Sequence, residues 1–439
     1  MVGRPYLLRM SAKKLRTNEN GTASFLDELS WRGMVYQHTD GLADALATKE
    51  LSAYAGFDPT ASSLHVGHLV PVMGLAHLQR AGHRPIALVG GGTGMIGDPS
   101  GKTAERQLVS VEEIEENSRA IGKQLEHFLD FSGAKAARMR DNAVWLRPLK
   151  AVEFMRDIGK HFTVNYMLAK DSVKSRIEGG ISFTEFSYML LQAYDFLELH
   201  RREGVTLQIG GSDQWGNITA GLELIRRVEG KTAHALTMPL VTTASGSKFG
   251  KTEAGAVWLD PARTSPYRFY QYWINVDDRD AGKYLRLFTL LPREEIEALD
   301  KLTESAPEKR GAQQALAREV TARVHGNEAA QLAEEVSKVL FGKADPKALT
   351  EPVLRALSEE VPFAEKSETS GVLDALVALK LAASKSAARR LVEQGGVYVN
   401  GERVSADTDL ASTKPLAGGY HLLRKGARDY GLIRGGTKK

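Results

Sequence analysis

The 439-residue sequence contains no cysteine. This absence excludes disulfide bonds, thiolate metal sites and a cysteine nucleophile, and it suits a reducing cytosol. No uninterrupted apolar run of about 18 residues occurs, so the sequence predicts no membrane-spanning helix. Residues 1–16 hold five basic side chains and no acidic one, but they lack the apolar core of a secretory signal. We predict a cytoplasmic protein with a poorly ordered extension over residues 1–30, for which a mitochondrial presequence and an extended start upstream of Met10 are the alternatives.

An excess of charge of one sign is missing from most of the chain but present at its end. The formal net charge is only +4, whereas residues 380–439 hold 12 Lys and Arg against 5 Asp and Glu. A basic end on a near-neutral body indicates a polyanionic partner that docks there. The alternative is a basic tail that serves solubility alone.

Short apolar runs alternate with helical patterns over the first part of the chain. Strand-like runs lie at 51–57, 85–89, 143–146 and 205–209, and helical spacing marks 64–81 and 111–130. This alternation predicts a Rossmann-like, doubly wound α/β domain with a parallel sheet over residues 31–245. Ligands of such sheets bind at the carboxyl ends of the strands, where the unusual residues of this sequence fall.

The remainder of the chain reads as smaller units. Strand patterns are missing from residues 266–343, which predicts an all-helical domain. Residues 344–370 carry three prolines and mixed charge, and they predict a linker. Residues 371–439 combine a helix at 384–394 with short strands near 397–404, and they predict a small α+β domain.

A glycine-rich segment invites two nucleotide-binding interpretations. The stretch GTGMIG at 92–97 fits G-x-G-x-x-G and follows a strand, as in dinucleotide-binding proteins. A turn at 98–101 stands where the helix of that fingerprint belongs, and the expected second-strand acid is missing. The segment 97–103 is one residue too short for a phosphate-binding P-loop. Neither motif is therefore favoured, and an oxidoreductase is disfavoured with the first.

Two short polar motifs lie far apart in the sequence. HVGH at 65–68 opens a long helix, where imidazoles and bare N–H groups suit anionic phosphate and Gly67 lets a nucleotide approach the backbone. Two capping histidines are the alternative, and a metal site lacks a third ligand at suitable spacing. KFGKT at 248–252 would alone predict only a solvated basic loop.

Together the two motifs resemble the HIGH and KMSKS signatures of class I aminoacyl-tRNA synthetases. Valine replaces isoleucine in the first, and Phe-Gly replaces Met-Ser in the second. Further stretches resemble the bacterial tyrosyl-tRNA synthetases of this class, in that family's order across residues 50–260. They are YAGFDPT at 54–60, GDPSGK at 97–102, residues 188–195, and QIGGSDQWGN at 208–217.

The resemblance implies an enzyme, a tyrosine–tRNA ligase (EC 6.1.1.1). Such an enzyme activates L-tyrosine with ATP as tyrosyl-adenylate and then transfers the tyrosine to tRNA(Tyr). The resemblance further implies Mg²⁺ carried by ATP, no protein-bound structural metal, and a homodimer. Residues 246–265 become the KMSKS-type loop and its connection, and residues 266–343 the domain on the anticodon side.

The resemblance also implies a tyrosine site. The substrate phenol must be hydrogen-bonded in a dry pocket, or phenylalanine would bind nearly as well. Tyr54 and Asp195 match the phenol-binding positions. Tyr188, Gln192 and Asp195 follow i, i+4, i+7 spacing, which places them on one helical face. The remaining implied tyrosine-binding residues are Asp98, Gln208 and Gln214, with Asp98 joining Tyr188 and Gln192 around the ammonium group.

ATP residues follow from the same resemblance. Thr60 and His65 match γ-phosphate contacts, and Lys248 with Lys251 matches a pyrophosphate clamp. No general base is required, because the attacking carboxylate is already ionised at neutral pH. The work is positioning and charge neutralisation. The other implied residues are Lys102, Arg106 and Thr252 in catalysis, and Gly56, Asp58, Gly67, His68, Gly211 and Asp213 around ATP.

The C-terminal unit carries its own resemblance. SKSAARRLV at 384–392 and GVYVNG at 396–401 are similar to the alpha-L RNA-binding module, which occurs in a small-subunit ribosomal protein, some pseudouridine synthases and tyrosyl-tRNA synthetases. This implies that Lys385, Arg389 and Arg390 contact RNA phosphates. An ordinary amphipathic helix with exposed arginines is the alternative.

Two rival functions use the same motifs. A tryptophanyl-tRNA synthetase shares the class, but it lacks the C-terminal module, and an acid at Asp195 opposite Tyr54 fits a phenol better than an indole. An RNA-binding factor that has lost catalysis would show damaged histidine or lysine signatures. Both signatures are intact here.

Overall fold

The computed structural model describes residues 24–100, 109–177, 179–246, 249–252, 255–365 and 371–435. These residues form two compact units. The first comprises the described residues up to Thr264 together with Val276–Leu316, and the second comprises Ser265–Asn275 together with the residues from Ala317 onward. The helical domain predicted at 266–343 is divided between them.

A six-stranded sheet organises the first unit. Its strands are β1 (Gln37–His38), β2 (Ser52–Phe57), β3 (Arg84–Val89), β4 (Arg138–Asp141), β5 (Val205–Gly211) and β6 (His234–Met238). The spatial order is β1-β6-β5-β2-β3-β4, with β1 antiparallel and the others parallel. The chain first builds β2, β3 and β4 and then returns to the other side with β5 and β6. The adjacent strands β2 and β5 therefore mark the switch point at which doubly wound sheets bind ligands.

Helices connect and cover these strands. Those of the first unit before Thr264 are Phe25–Trp31, Leu42–Thr48, Leu69–Arg80, Val111–Leu125, Ala143–Leu146, Ala151–Asp157, Val164–Leu168, Asp171–Ile177, Phe183–Glu203 and Trp215–Glu229. Phe183–Glu203 and Trp215–Glu229 pack closely, because a Cβ at Gly221 would lie 3.0 Å from Phe196. Phe196 joins Tyr54 of β2 in the same buried cluster. The predicted α/β architecture is confirmed.

One predicted strand is wrong. The apolar run 143–146 is a short helix, and the strand lies just before it as β4, whose sequence is RMRD. Two arginines of this edge strand, Arg138 and Arg140, pair with Glu203. Trp145, in the apolar run, is instead buried in the core as part of the short helix Ala143–Leu146. This edge strand therefore carries ion-paired arginines in place of a run of apolar residues.

The other regular elements follow the predicted positions. The predicted helix 64–81 is a 3₁₀ turn, Val66–His68, followed by Leu69–Arg80, so Pro71 lies in the first helical turn where proline is tolerated. The helix predicted at 111–130 ends at Leu125.

The prediction of an unordered extension over residues 1–30 is wrong for its last residues, since helix Phe25–Trp31 buries Phe25 and Leu29. Residues 1–23 lie outside the described part.

The region from Pro266 onward is helical as predicted. Its helices are Pro266–Ile274, Asp278–Phe288, Arg293–Ser305, Gly311–His325 and Asn327–Leu340. The predicted linker at 344–370 instead contains helix Glu351–Ser358 and strand Phe363–Glu365, because Val353, Leu354 and Leu357 are buried against apolar residues of the same unit. Residues 366–370 are not described.

The second unit ends in a five-stranded sheet. Its strands, in spatial order, are Glu402–Arg403, Val397–Val399, Tyr420–Lys425, Asp429–Arg434 and Phe363–Glu365. Helices Val372–Ala378 and Lys385–Glu393 pack beside it. The predicted helix at 384–394 is confirmed, with Ser384 as its N-cap. Within the described ranges, no helix is long and apolar enough to cross a membrane.

Candidate active site

The carboxyl edge of the sheet opens into a crevice at β2. Gly56 is exposed in this central strand although Ala55 and Phe57 on either side are buried. Apart from Gly56 itself and its two chain neighbours, no atom of the described residues lies within 4 Å of the place that a Cβ of Gly56 would occupy. Polar residues follow the strands at this edge, with Asp58 after β2 and Asn142 after β4. The edge therefore has both the space and the polar groups of a ligand site.

A buried carboxyl group lies near this edge of the sheet. Asp195, in helix Phe183–Glu203, accepts hydrogen bonds from Asn142 Nδ2 at 2.9 Å and from Trp145 Nε1 at 2.7 Å. Burial raises the pKa of Asp195 to about 8, although these two donors act to lower it. A carboxyl group has about four acceptor positions when ionised and fewer when protonated, so beyond these two bonds the group can still accept a hydrogen bond from a hydroxyl group.

The predicted partner, Tyr54, is buried near the same carboxyl group. Its ring packs edge-on against Phe196 with centroids 5.3 Å apart, and burial together with the nearby Asp195 raises the pKa of Tyr54 well above its ordinary value. Its hydroxyl is buried and has no hydrogen-bond partner among the described residues. The same holds for Gln208 Oε1 on the neighbouring strand β5. Such groups are costly unless something pairs with them.

A second polar group surrounds Asp58. The Tyr188 hydroxyl donates to Asp58 Oδ2 at 2.8 Å, and the Thr93 hydroxyl donates to Asp58 Oδ1 at 2.7 Å. Burial and the charges of Asp58 and Asp98 raise the pKa of Tyr188 well above its ordinary value, so it stays a neutral phenol. A Cβ at Gly90 would lie 2.1 Å from Asp58 Oδ1, so glycine is required there.

Asn217 is the centre of a third group. Its side-chain amide donates to Gln192 Oε1 at 3.0 Å and to Gln214 Oε1 at 3.3 Å, and it approaches Asp98 Oδ1 at 3.5 Å. Gln214 Nε2 donates to Asp98 Oδ2 at 2.7 Å. The structure therefore brings the predicted residues Asp98, Gln192 and Gln214 together around a residue to which the sequence assigned no role.

The histidine turn, residues 65–68, lies directly before helix Leu69–Arg80. His65 Nδ1 accepts the Gly67 backbone N–H at 3.0 Å, and His68 Nδ1 accepts the His65 backbone N–H at 3.1 Å. A neutral imidazole that accepts at Nδ1 carries its proton on Nε2, so both rings present an Nε2–H donor. The two rings lie 4.0 Å apart. The predicted capping role and a phosphate-binding role are therefore compatible.

The lysine loop (KFGKT, residues 248–252, of which 249–252 are described) is joined to this turn through backbone hydrogen bonds. Gly250 accepts the Val257 N–H at 3.1 Å, and Val257 accepts the Val66 N–H at 3.0 Å. Gly250 has φ = +78°, and a Cβ on it would lie 2.8 Å from Val66 Cγ2. Lys251 follows with an exposed side chain, paired in a short hairpin with Ala256. The two motifs that are far apart in sequence are neighbours in the fold.

Other predicted residues have simpler positions. Thr60 is exposed, and its N–H donates to the Asp58 carbonyl at 2.9 Å. Asp213 follows β5, and a Cβ on Gly211 would lie 2.5 Å from its Oδ1. Lys102, Arg106 and Lys248 lie outside the described residues, and only the backbone of Thr252 is described. In the second unit, Lys385, Arg389 and Arg390 are exposed on helix Lys385–Glu393, where Lys385 pairs with Asp374.

Sequence reasoning missed four side chains of this site: Thr93, Asn142, Trp145 and Asn217. Asn142 and Trp145 directly follow β4, and the rule that ligand groups follow parallel strands would have found them had β4 been placed correctly. Asn217 lies one helical turn after Gln214. Among the described residues, no group of three or more His, Cys, Asp or Glu could hold a metal ion.

Two family models match the chain. Residues 46–342 match the class I tRNA synthetases for tryptophan and tyrosine, and residues 354–433 match the C-terminal domain of tyrosine–tRNA ligases. The tyrosine–tRNA ligase of Anaeromyxobacter dehalogenans is 56% identical over 418 residues, which cover 94% of this chain and 99% of that protein. The tyrosine–tRNA ligase of Geobacillus stearothermophilus is 52% identical over 415 residues, covering 93% and 99%.

Solved structures give the same result. A C-terminally truncated mitochondrial tyrosyl-tRNA synthetase of Aspergillus nidulans matches with a TM-score of 0.66 and 31% identity, covering 74% of this chain and 96% of that one. The corresponding truncated enzyme of Coccidioides posadasii matches with a TM-score of 0.62 and 34% identity, covering 71% and 91%.

Proposed function

The chain belongs to the tyrosine–tRNA ligases of the class I aminoacyl-tRNA synthetases, and we propose that the crevice at the carboxyl edge of its sheet is the site of tyrosine activation. In this reaction the tyrosine carboxylate attacks the α-phosphorus of ATP. A new oxygen–phosphorus bond forms and pyrophosphate leaves. A terminal ribose hydroxyl of tRNA(Tyr) then attacks the adenylate carbonyl and releases AMP.

The unpartnered hydroxyl of Tyr54 beside Asp195 is the observation that carries this proposal. A substrate phenol supplies the partner that Tyr54 lacks, because it can accept from Tyr54 and also donate to Asp195. Phenylalanine would leave the Tyr54 hydroxyl buried and unpaired, which costs about 1–3 kcal/mol. The pocket therefore favours tyrosine without a second, editing site.

We assign the ammonium group of tyrosine to the polar groups around Asp58 and Asn217. The Tyr188 hydroxyl already donates to Asp58, so its oxygen lone pairs are left to accept from an ammonium. Asp98 and Gln192 supply a carboxylate and an amide oxygen nearby, and their positions are fixed by Gln214 and Asn217. Three fixed acceptors suit the three donors of an ammonium ion and hold the carboxylate for in-line attack.

The histidine turn and the lysine loop then serve the phosphates of ATP. His65 and His68 present Nε2–H donors at a helix start, where the helix dipole also favours negative charge. Lys251 adds a positive charge as pyrophosphate forms. We assign Mg²⁺ to the ATP phosphates as part of the substrate, where it screens their charge. Thr60, Lys102, Arg106, Lys248 and Thr252 stay predictions for the same role.

This division of labour is tested by pyrophosphate exchange with each substrate varied in turn. Gln192→Ala is expected to raise KM for tyrosine about tenfold or more and to leave KM for ATP unchanged. Lys251→Met is expected to lower kcat/KM for ATP and to leave KM for tyrosine unchanged. Equal effects of either substitution on both substrates would show that the two sites are wrongly assigned.

We assign tRNA binding to the second unit, through the exposed Lys385, Arg389 and Arg390. Phosphate contacts make binding salt-dependent, so Arg389→Gln with Arg390→Gln should weaken tRNA binding and flatten its dependence on salt. Tyrosine-dependent exchange without tRNA should not change in this variant. An unaltered salt dependence would remove these residues from the RNA-binding surface.

We also propose a homodimer that forms through an apolar face of the first unit. Seven of the eleven exposed large hydrophobic side chains among the described residues fall within residues 144–183, with Val152 79% and Phe183 73% exposed. Apolar exposure of this density indicates a protein interface. Val152→Asp with Phe183→Asp should yield monomers in sedimentation analysis. Tyr36→Asp, which is 64% exposed elsewhere, is the control that should stay dimeric.

A further inference from the structure

Helix Asp278–Phe288 holds the segment that leads to the lysine loop. Asp280 is buried near the start of this helix and accepts the Ala244 N–H at 2.7 Å. One turn later, Lys283 Nζ and the Tyr284 hydroxyl both approach the Thr242 carbonyl, at 3.3 and 3.4 Å. The backbone before the loop is therefore fixed to the helix at two points.

The loop itself is held by a buried aromatic ring. Phe249 is only 7% exposed, although it lies between polar residues of the sequence. Its ring stacks on Phe288 with centroids 5.1 Å apart and planes 6° apart, and it meets Tyr284 edge-on at 5.1 Å. Stacked and edge-on aromatic pairs of this geometry are attractive beyond the area that they bury.

The ring acts close to the groups that serve ATP. The residue after Phe249 is Gly250, whose backbone is linked through Val257 to Val66 in the histidine turn. The residue after that is Lys251, whose side chain is exposed. Moving the ring would therefore move a lysine relative to His65 and His68. Misplacement of a charged group by about 1 Å costs on the order of 100-fold in rate.

We propose that Phe249, seated against Tyr284 and Phe288, is a positioning residue that holds Lys251 in register with the histidine turn for the phosphates of ATP. This inference rests on the proposed role of Lys251. The Phe249 ring packs on Tyr284 and Phe288, so its loss is expected to change the use of ATP and to leave the tyrosine pocket intact.

The test is tyrosine-dependent pyrophosphate exchange by the full chain, with rates expressed per active site after titration of adenylate formation. Phe249→Ala is expected to lower kcat/KM for MgATP roughly 10- to 100-fold, with the dissociation constant for tyrosine within about twofold of wild type. Phe288→Ala should reproduce this split. The double variant should be no worse than Phe249→Ala alone, because that change already removes the contact with Phe288.

Further variants separate positioning from folding. Phe128→Ala removes a ring that is equally buried, at 7% exposure, and should leave KM for both substrates unchanged per active site. Phe249→Leu should recover part of the lost kcat/KM for MgATP, because it refills much of the pocket. Equal losses for tyrosine and MgATP in Phe249→Ala, or no loss, would overturn the inference. If Lys251→Met also had no effect on ATP, the proposed role of the loop would fail first.

Discussion

The indole N–H of Trp145 donates to Asp195 Oδ1 at 2.7 Å, so a residue of the short helix after β4 orients the carboxyl group of the proposed tyrosine pocket. Asn142 holds the other oxygen of that group at 2.9 Å. The proposed acceptor for a substrate phenol is thus held by two side chains of the protein itself.

Replacing Trp145 by phenylalanine tests this arrangement. The carboxyl oxygen would lose its donor, which costs about 1–3 kcal/mol, and a small cavity would remain. We expect KM for tyrosine to rise about tenfold while KM for ATP stays constant in pyrophosphate exchange. Trp31→Phe, in helix Phe25–Trp31, is the control and should change neither constant. An unchanged KM for tyrosine in Trp145→Phe would mean that the orientation of Asp195 is set elsewhere.

The raised pKa of Asp195 makes stability depend on pH. Its folded pKa, about 8, lies above the ordinary value of 3.8, so between these values the folded chain keeps a proton that the unfolded chain has released. Stability therefore falls as pH rises through that window, by up to about 1.4 kcal/mol per pH unit. Asp195→Asn cannot ionise, so it should gain stability relative to wild type from about pH 5 to pH 8.

Urea unfolding at a series of pH values measures this difference. Asp44→Asn is the control, since this aspartate is exposed. Parallel curves for Asp195→Asn and wild type would contradict the account.

Tyr54→Phe should separate stability from specificity. Because the Tyr54 hydroxyl is buried without a partner among the described residues, its removal relieves a cost of about 1 kcal/mol in the free protein. The same change should reduce the preference for tyrosine over phenylalanine about tenfold in exchange. A variant that loses both stability and specificity would show that the hydroxyl is paired in the free protein.

Gly67→Ala should act on ATP alone. A Cβ there would lie 2.7 Å from His65 Cε1, so the imidazole must leave the position in which its Nδ1 accepts the Gly67 N–H. We expect KM for ATP to rise about tenfold with tyrosine binding unaffected. Gly122→Ala, on helix Val111–Leu125 with its nearest neighbour at 4.0 Å, is the matched control. Normal ATP kinetics in Gly67→Ala would exclude the histidine turn from the phosphate site.

Arg32 supplies a test of fold stability. Its buried guanidinium donates to the carbonyls of Arg286, Thr289 and Leu291 at the end of helix Asp278–Phe288. Arg32→Met would leave these acceptors unpaired, and we expect a loss of about 3 kcal/mol in the free energy of unfolding. Arg293→Met removes an exposed guanidinium and should cost less than about 1 kcal/mol. Equal losses would mean that the carbonyl bonds contribute little.

Sequence periodicity was sufficient where apolar residues decide the structure. The strands that became β2, β3 and β5 and the helix beginning at Val111 were found at nearly the correct bounds. It failed at β4, where Arg138 and Arg140 form ion pairs at a sheet edge, and no local apolar pattern marks such a strand. The helix at Glu351–Ser358 was missed because its three buried residues meet partners that are distant in sequence.

The residues of the candidate site were predicted from a family resemblance, whereas the contacts among them are seen only in the folded chain. Nothing local in the sequence indicates that Asn217 would link Gln192 and Asp98, because these residues come from distant elements. Likewise, the buried position of Phe249 depends on a helix about 30 residues further along the chain. Residue types can be matched to roles from sequence, whereas the contacts that orient them require the folded chain.

The central claim is that the Tyr54–Asp195 pocket selects tyrosine for activation. It is tested most directly by ATP–pyrophosphate exchange without tRNA, run in parallel with tyrosine, phenylalanine and tryptophan. The account predicts exchange with tyrosine and at most a trace with the other two. Comparable exchange with phenylalanine or tryptophan, or none with any of the three from folded protein in the presence of Mg²⁺, would contradict it.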